Sequence, residues 1–347
     1  MKKINIYLIL GIIAFIGLII FILFSFGVIK TNRATKTAFN EIKIKEKVFF
    51  PHLSQDNKSL YYFGDQGVKF KKFDFSTQKT ENLYPNDVLY INDVLWSPDE
   101  SKIIIKNTQP YTNTSTQLLN LKDRKITDLN KNIQSVIWSD DNQNIYYQYQ
   151  DMEKNLNYLA SAKYDGSNEQ KVIDLDLDNY SFAWLDNFQK IGFWRPPSDI
   201  SGVGLKQVDL KTKNISDIFT DNRLNKILAA PNGSHFIYNH FYEKDNLYKL
   251  SLSKSDGTED KNLDLETSIN KIAWAPDSSF LIAAVPEKTD QNNTFYKIDV
   301  KNNKKTTLEY SIEKNQDIIK AENLIISSDN KTLYFISNDL LYSLQFL

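Results

Sequence analysis

The chain contains no cysteine. Disulfides, cysteine-ligated zinc and lipid attachment through an N-terminal cysteine are therefore excluded. Histidine is scarce as well, with only His52, His235 and His240 present. His235 and His240 are an odd number of residues apart, which puts them on opposite faces of an extended strand. His52 belongs to a distant stretch. A zinc site needs three or four convergent ligands, so these histidines are expected to be packing or surface residues. Arginine is nearly absent: beyond residue 40 there are only Arg124, Arg195 and Arg223. That scarcity, with no Ser-x-Asp-x-Gly-x-x-Trp box, argues against a sialidase-type site. No G-x-S-x-G elbow occurs, and no Ser-x-x-Lys with its companion motifs. Nothing in the sequence implies a cofactor or a metal.

Acidic residues are missing from the first forty positions, which carry Lys2, Lys3, Lys30, Arg33 and Lys36. The formal net charge of -1 therefore hides an acidic remainder. An acidic domain without a basic stripe is a poor nucleic-acid binder.

From Ile6 to Ile29 no residue is charged, and Ile, Leu and Phe dominate. The run exceeds the ~20 residues that cross a bilayer as a helix. It is too long for the ~7–15-residue core of a cleavable signal, and no A-x-A-like site follows. The expectation is a basic tail and transmembrane signal anchor over 1–29, then a linker over 30–40. Positive charges flank the run almost evenly. The short basic tail favours an inside N-terminus, on a single-pass anchor in the cell membrane, with the large domain extracytoplasmic. A cytoplasmic domain behind a reversed anchor is the alternative.

What the chain has in quantity is a repeat. Residues 94–105 (Val-Leu-Trp-Ser-Pro-Asp-Glu-Ser-Lys-Ile-Ile-Ile) form an apolar run, a turn and a second apolar run. Aligned on Asp99, equivalents fall at Asp56, Asp141, Asn187, Asn232, Asp277 and Asp329, a period of roughly 40–50 residues. Trp96, Trp138, Trp184 and Trp274 share one place in the repeat, just ahead of the aligned residue. Pro98 and Pro276 pre-set a type I turn, and Asp and Asn tolerate the left-handed backbone that follows. The repeated acid therefore serves a turn rather than catalysis or metal binding. The β-branched and aromatic runs on either side read as strands.

Each unit continues with a third strand, a charged turn and a more polar fourth strand, as in Gln117–Leu121 and Ile126–Leu129. Four strands per repeat is the spacing of a β-propeller blade. Nineteen Tyr and 21 Phe supply a large core. The seventh unit ends after three strands. Glu41–Glu46 is expected to supply the fourth, closing the ring and removing its open edge. The fold class expected is thus all-β. Residues 41–347 form a seven-bladed β-propeller of four-stranded blades, closed by an N-terminal strand and preceded by one transmembrane helix.

Trp96-Ser97-Pro98-Asp99, echoed by Trp138-Ser139-Asp140-Asp141 and Trp274-Ala275-Pro276-Asp277, resembles the WD40-like repeat of TolB-type propellers. The resemblance covers all seven units. It departs where a Gly commonly follows the Asp, a feature kept here only at Gly233. The resemblance implies a TolB-like role in an envelope complex, with a membrane anchor in place of the separate α/β domain that precedes the propeller in TolB.

Two candidate sites follow. Asp174, Asp176 and Asp178 alternate with leucines and share one face of a strand. One strand cannot supply the ~6–8 oxygens calcium takes, so a solvated face is expected. The second candidate is the propeller face that gathers the second-to-third-strand loops and the loops between blades. It carries Trp194, Arg195, Tyr111, Phe241, Tyr242 and Arg223. Aromatics and Arg dominate interface hot spots. The function expected is a membrane-tethered, non-enzymatic propeller that binds a protein or other component of the cell envelope through this face. The alternative is a propeller enzyme or small-ligand sensor with its site at the mouth of the central channel.

Overall fold

The structure, a computed structural model, describes residues 37–42, 44–108, 114–195, 203–220, 224–242, 247–287, 292–311 and 319–346. The chain divides into two compact units, Met1–Thr37 and Ala38–Leu347. The expected membrane span over residues 6–29 lies outside the described residues. Among the described residues no helix is long and apolar enough to cross a membrane.

The second unit is built from seven four-stranded antiparallel sheets. Each begins with the strand that leads into the repeated turn. These first strands are Phe49–Leu53, Ile91–Trp96, Ile133–Trp138, Ser181–Leu185, Leu224–Ala229, Ile272–Trp274 and Glu322–Ile326. We number the blades 1 to 7 in that order. The first strands of blades 2 to 5 neighbour one another in turn, that of blade 5 meets the short helical turn ahead of blade 6, that of blade 6 meets that of blade 7, and that of blade 7 meets that of blade 1. They therefore wall a central channel. In blades 1 to 6 the remaining strands follow outward in chain order.

Blade 7 completes itself differently. Asn40–Ile42 pairs with Leu340–Gln345, setting Asn40 opposite Ser343, Glu41 opposite Tyr342 and Ile42 opposite Leu341. The closing strand exists as expected, but it is shorter and lies earlier than Glu41–Glu46. The rest of that stretch anchors the chain instead. Ile44 is buried between blades 7 and 1. The Glu46 carboxylate accepts hydrogen bonds from Lys71 Nζ at 2.8 Å and Tyr62 Oη at 2.9 Å. A half-buried carboxylate needs such partners, and they hold it away from the ladder.

Side chains of adjacent blades alternate across each junction, so the core consists of seven clusters, one per junction. The cluster between blades 1 and 2 is centred on Phe63, Phe70, Ile103 and Ile105. That between blades 7 and 1 holds Leu60, Tyr62, Phe73, Ile336 and Leu341. The repeated tryptophans act across these junctions. Trp138 Nε1–H donates to the Leu95 carbonyl (3.0 Å), Trp184 to Trp138 (2.6 Å) and Trp274 to Leu228 (3.1 Å). Each indole ties its blade to the first strand of the preceding one.

The repeated turns confirm the reading of their acids. In blades 1, 2, 3, 6 and 7 the aspartate accepts the backbone N–H two residues on, as Asp99 does from Ser101 at 3.0 Å. The next position is left-handed in all seven blades: Asn57, Glu100, Asn142, Phe188, Gly233, Ser278 and Asn330 have φ between 56° and 68°. At Gly233 the missing side chain also matters. A Cβ there would meet the Asn187 nitrogen at 3.3 Å, and the Gly233 carbonyl accepts the Asp186 N–H at 2.8 Å. The turns thus touch their neighbours on one face of the ring.

Candidate functional site

On that face the turns of blades 1 and 2 build the mouth of the channel. Gln55 Nε2 donates to the Pro98 carbonyl at 2.6 Å, and the Gln55 N–H donates to Glu100 Oε2 at 3.2 Å. The other Glu100 oxygen lies 2.8 Å from His52 Nε2. The His52 ring stacks on Trp96, with centroids 4.1 Å apart and planes 12° from parallel. Tyr61 backs the indole at 5.0 Å. Burial first, then the Glu100 and Asp56 carboxylates, raises the Tyr61 phenol above its ordinary pKa, so it stays protonated.

These groups line a cavity of about 380 Å³ that also reaches blades 6 and 7 through Pro276, Ile325 and Ser328. The Glu100 side chain is 16% exposed and that of His52 is 29% exposed. Both are reachable, yet both are fixed. With Glu100 accepting at Nε2, neutral His52 carries its proton there and leaves Nδ1 as an acceptor. No described residue occupies Nδ1. A histidine oriented by a carboxylate is one arrangement that can carry a proton.

Glu100 is the one acidic residue at its place in the repeat. A left-handed backbone suits Gly, Asn and Asp; for other residues it costs about 1–2 kcal/mol. Blades 1, 3 and 7 use Asn here and blade 5 uses Gly, while blade 4 carries Phe188 and blade 6 Ser278. Blade 2 accepts the strain of a long carboxylate, and that carboxylate is the one that meets His52.

The residues singled out from sequence fare differently. Trp194 is 4% exposed and packs with Leu185, Leu205, Phe236 and Tyr238 between blades 4 and 5. It lies in the second strand of blade 4, Lys190–Arg195, rather than in a loop, so its ring is core and is not offered to a partner. Arg195 ends that strand, and its guanidinium pairs with Asp178 at 3.2 Å. Phe241 and Tyr242 belong to the second strand of blade 5, His235–Tyr242, not to a loop; their side chains lie outside what is described, as do Tyr111 and Arg223. The three alternating aspartates diverge. Asp174 pairs with Lys171, Asp178 with Arg195, and Asp176 accepts the Tyr180 hydroxyl at 2.6 Å. No group of three or more His, Asp or Glu suited to a metal occurs among the described residues.

His52 is the residue that sequence reasoning passed over. Its signal was present in two parts: a histidine just ahead of the turn in blade 1, and a carboxylate where none of the six sibling turns carries one. They are 48 residues apart in sequence, and only ring geometry joins them.

Neither a protein-family profile nor a curated protein sequence matches the chain. Solved structures do. An oligogalacturonate lyase in complex with manganese superposes with a TM-score of 0.64 at 12% identity, over 90% of this chain and 94% of that one. An oligogalacturonate lyase from Vibrio parahaemolyticus gives the same values. Kuenenia stuttgartiensis hydrazine synthase reaches 0.61 at 11% identity, over 88% of this chain and 98% of that one. The likeness is one of fold, and the seven-bladed propeller is what it establishes. It also corrects the expectation of a non-enzymatic module. Propellers superposing on nine-tenths of this chain are enzymes, so the lack of a recognised catalytic motif does not separate this chain from them.

Proposed function

We propose that the chain is a propeller enzyme acting on a small polar ligand at the mouth of its central channel. His52 is the proton acceptor, Glu100 orients it, and Trp96 forms the wall beside it. The observation that carries this reading is the 2.8 Å His52–Glu100 pair inside a cavity, with no described residue at Nδ1. On taking a proton at Nδ1, His52 becomes an imidazolium facing the Glu100 carboxylate, which stabilises that charge. Proton transfer by a positioned side chain contributes about 10²–10⁴-fold in rate. The fold-mates named as lyases support the reaction class, since elimination begins with loss of a proton to a base.

In the same reading residues 6–29 tether the chain to the cell membrane, with a TolB-type WD40-like propeller on the extracytoplasmic side. The uncharged run of residues 6–29 supports the tether.

The test uses the full-length chain with a panel of saccharides that begins with oligogalacturonate. Elimination is followed by the ultraviolet absorbance of unsaturated product. Turnover is expected in the wild type, and a loss of about 10²-fold or more in His52→Ala and Glu100→Gln. Turnover that survives both substitutions would remove the pair from the mechanism. A wild type inert across the panel, whose thermal stability no member shifts, would refute a saccharide as the polar ligand.

A further inference from the structure

The channel continues inward from its mouth. A second cavity, of about 360 Å³, shares Pro51, His52, Trp96 and Ile325 with the first. It extends to Phe50, Lys226, Asn270 and Asn323, contributed by blades 1, 5 and 7 and by the short 3₁₀ turn Ile269–Lys271 that precedes blade 6.

Bulges place three of these residues. Pairing slips between Phe49 and His52, between Leu224 and Lys226, and between Glu322 and Ile325. A bulge bends its strand and re-aims a side chain at a rim. At Phe50 and Asn323 the backbone is left-handed, with φ of 49° and 50°. The Lys226 N–H donates to Asn239 Oδ1 at 3.2 Å, which pins the strand where it slips.

The charge in this stretch is of one sign. Lys226 is the only permanently charged side chain among the described lining residues, and none of them is a carboxylate. Glu100 stands at the mouth, where His52 and Gln55 engage its two oxygens. Lys226 is exposed to the channel, and its ammonium takes part in no ion pair among the described residues. An ammonium offers three donors, and each Asn amide offers two more. A cleft lined by charge of one sign concentrates the opposite ion.

We infer that this inner stretch is an anion subsite, in which Lys226, flanked by Asn270 and Asn323, receives a carboxylate or phosphate group of the ligand. The inference rests on the channel-mouth reading, because the ligand held at His52 and Glu100 extends inward to reach it. Proton transfer belongs to the mouth and recognition of the anion to the interior.

Trp96 lines both cavities, so its fluorescence reports the potential there. In the full-length chain, quenching by iodide, caesium and neutral acrylamide is measured, and Trp96→Phe subtracts the other tryptophans. Iodide is expected to quench Trp96 severalfold more steeply in the wild type than in Lys226→Met, within the roughly tenfold enrichment a cleft of one sign gives. Caesium and acrylamide quenching should match between the two, which certifies an intact channel. Lys226→Arg, which keeps the charge, should keep the iodide effect. Acetate and inorganic phosphate are then added in separate arms at fixed ionic strength, and the one that relieves iodide quenching identifies the anion. Equal iodide quenching in wild type and Lys226→Met overturns the inference, as does relief by neither anion. The two readings separate cleanly. Turnover that survives His52→Ala counts against the mouth alone, and the iodide result counts for or against Lys226 alone.

Discussion

Replacing Glu100 with Asn gives blade 2 the residue that blades 1, 3 and 7 carry at the same left-handed position. Two opposing terms follow. Asn tolerates this backbone, so most of the about 1–2 kcal/mol of strain is relieved. Against that, the hydrogen bond to His52 is lost. Bonds to charged groups contribute about 1.5–3 kcal/mol, and a partly exposed pair at a channel mouth falls near or below the lower figure. The terms nearly cancel, and the net change is within about 1 kcal/mol of zero. The thermal midpoint should move by less than about 3 °C. Function should not be spared: without its carboxylate His52 loses its orienting partner, and turnover should fall by about 10²-fold or more. Differential scanning calorimetry and the elimination assay measure the two effects on one preparation. The reverse swap, Asn142→Glu, is the control. It installs the strain in blade 3 with no histidine to meet it, while its carboxylate can still accept the Asp99 N–H that Asn142 Oδ1 accepts at 2.8 Å, and it should destabilise by about 1 kcal/mol with turnover unchanged. A loss of more than about 3 kcal/mol in Glu100→Asn, or full activity in it, would refute the argument that blade 2 accepts strain for the sake of the site.

The other expectations concern the scaffold. Asp56, Asp99, Asp141, Asp277 and Asp329 all titrate below the usual carboxylate range, helped by hydrogen bonds from their own turns. A depressed folded pKa contributes stability that is present above the unfolded value and lost as pH falls through the folded one. Stability should therefore hold above about pH 5 and decline steadily below about pH 4. Asp99→Asn with Asp277→Asn should flatten the acid limb of a urea-midpoint-versus-pH curve, since Asn keeps the acceptor without the titration. Trp138→Phe should cost about 1–3 kcal/mol in urea unfolding, because it leaves the Leu95 carbonyl without its indole donor. Gly233→Ala should cost about 1–2 kcal/mol, as it places a Cβ on a left-handed residue against the blade 4 turn; an unchanged midpoint would show that the blade 4 turn yields instead.

The repeat, the strand–turn–strand unit and the blade count were legible in the chain because they are local. A Pro, an Asp two places after a Ser and flanking β-branched runs fix a hairpin without reference to anything distant. Ring closure was nearly legible, since one unit short of a strand and one strand without a unit can only meet. Its register was not: whether Glu41–Glu46 or Asn40–Ile42 pairs depends on Lys71 and Tyr62, which draw Glu46 out of the ladder. The fate of Trp194 was likewise undecided by its neighbours. An aromatic beside Arg and Pro can crown a loop or fill a blade junction, and the second strand of blade 4 turns it toward Phe236. The site itself belongs to tertiary structure. His52 sits in one blade, Glu100 in the next and Lys226 in the fifth, and no sequence spacing encodes their approach. The chain determined that a propeller would form; curvature of seven packed blades around one axis decided which side chains would face each other across its channel.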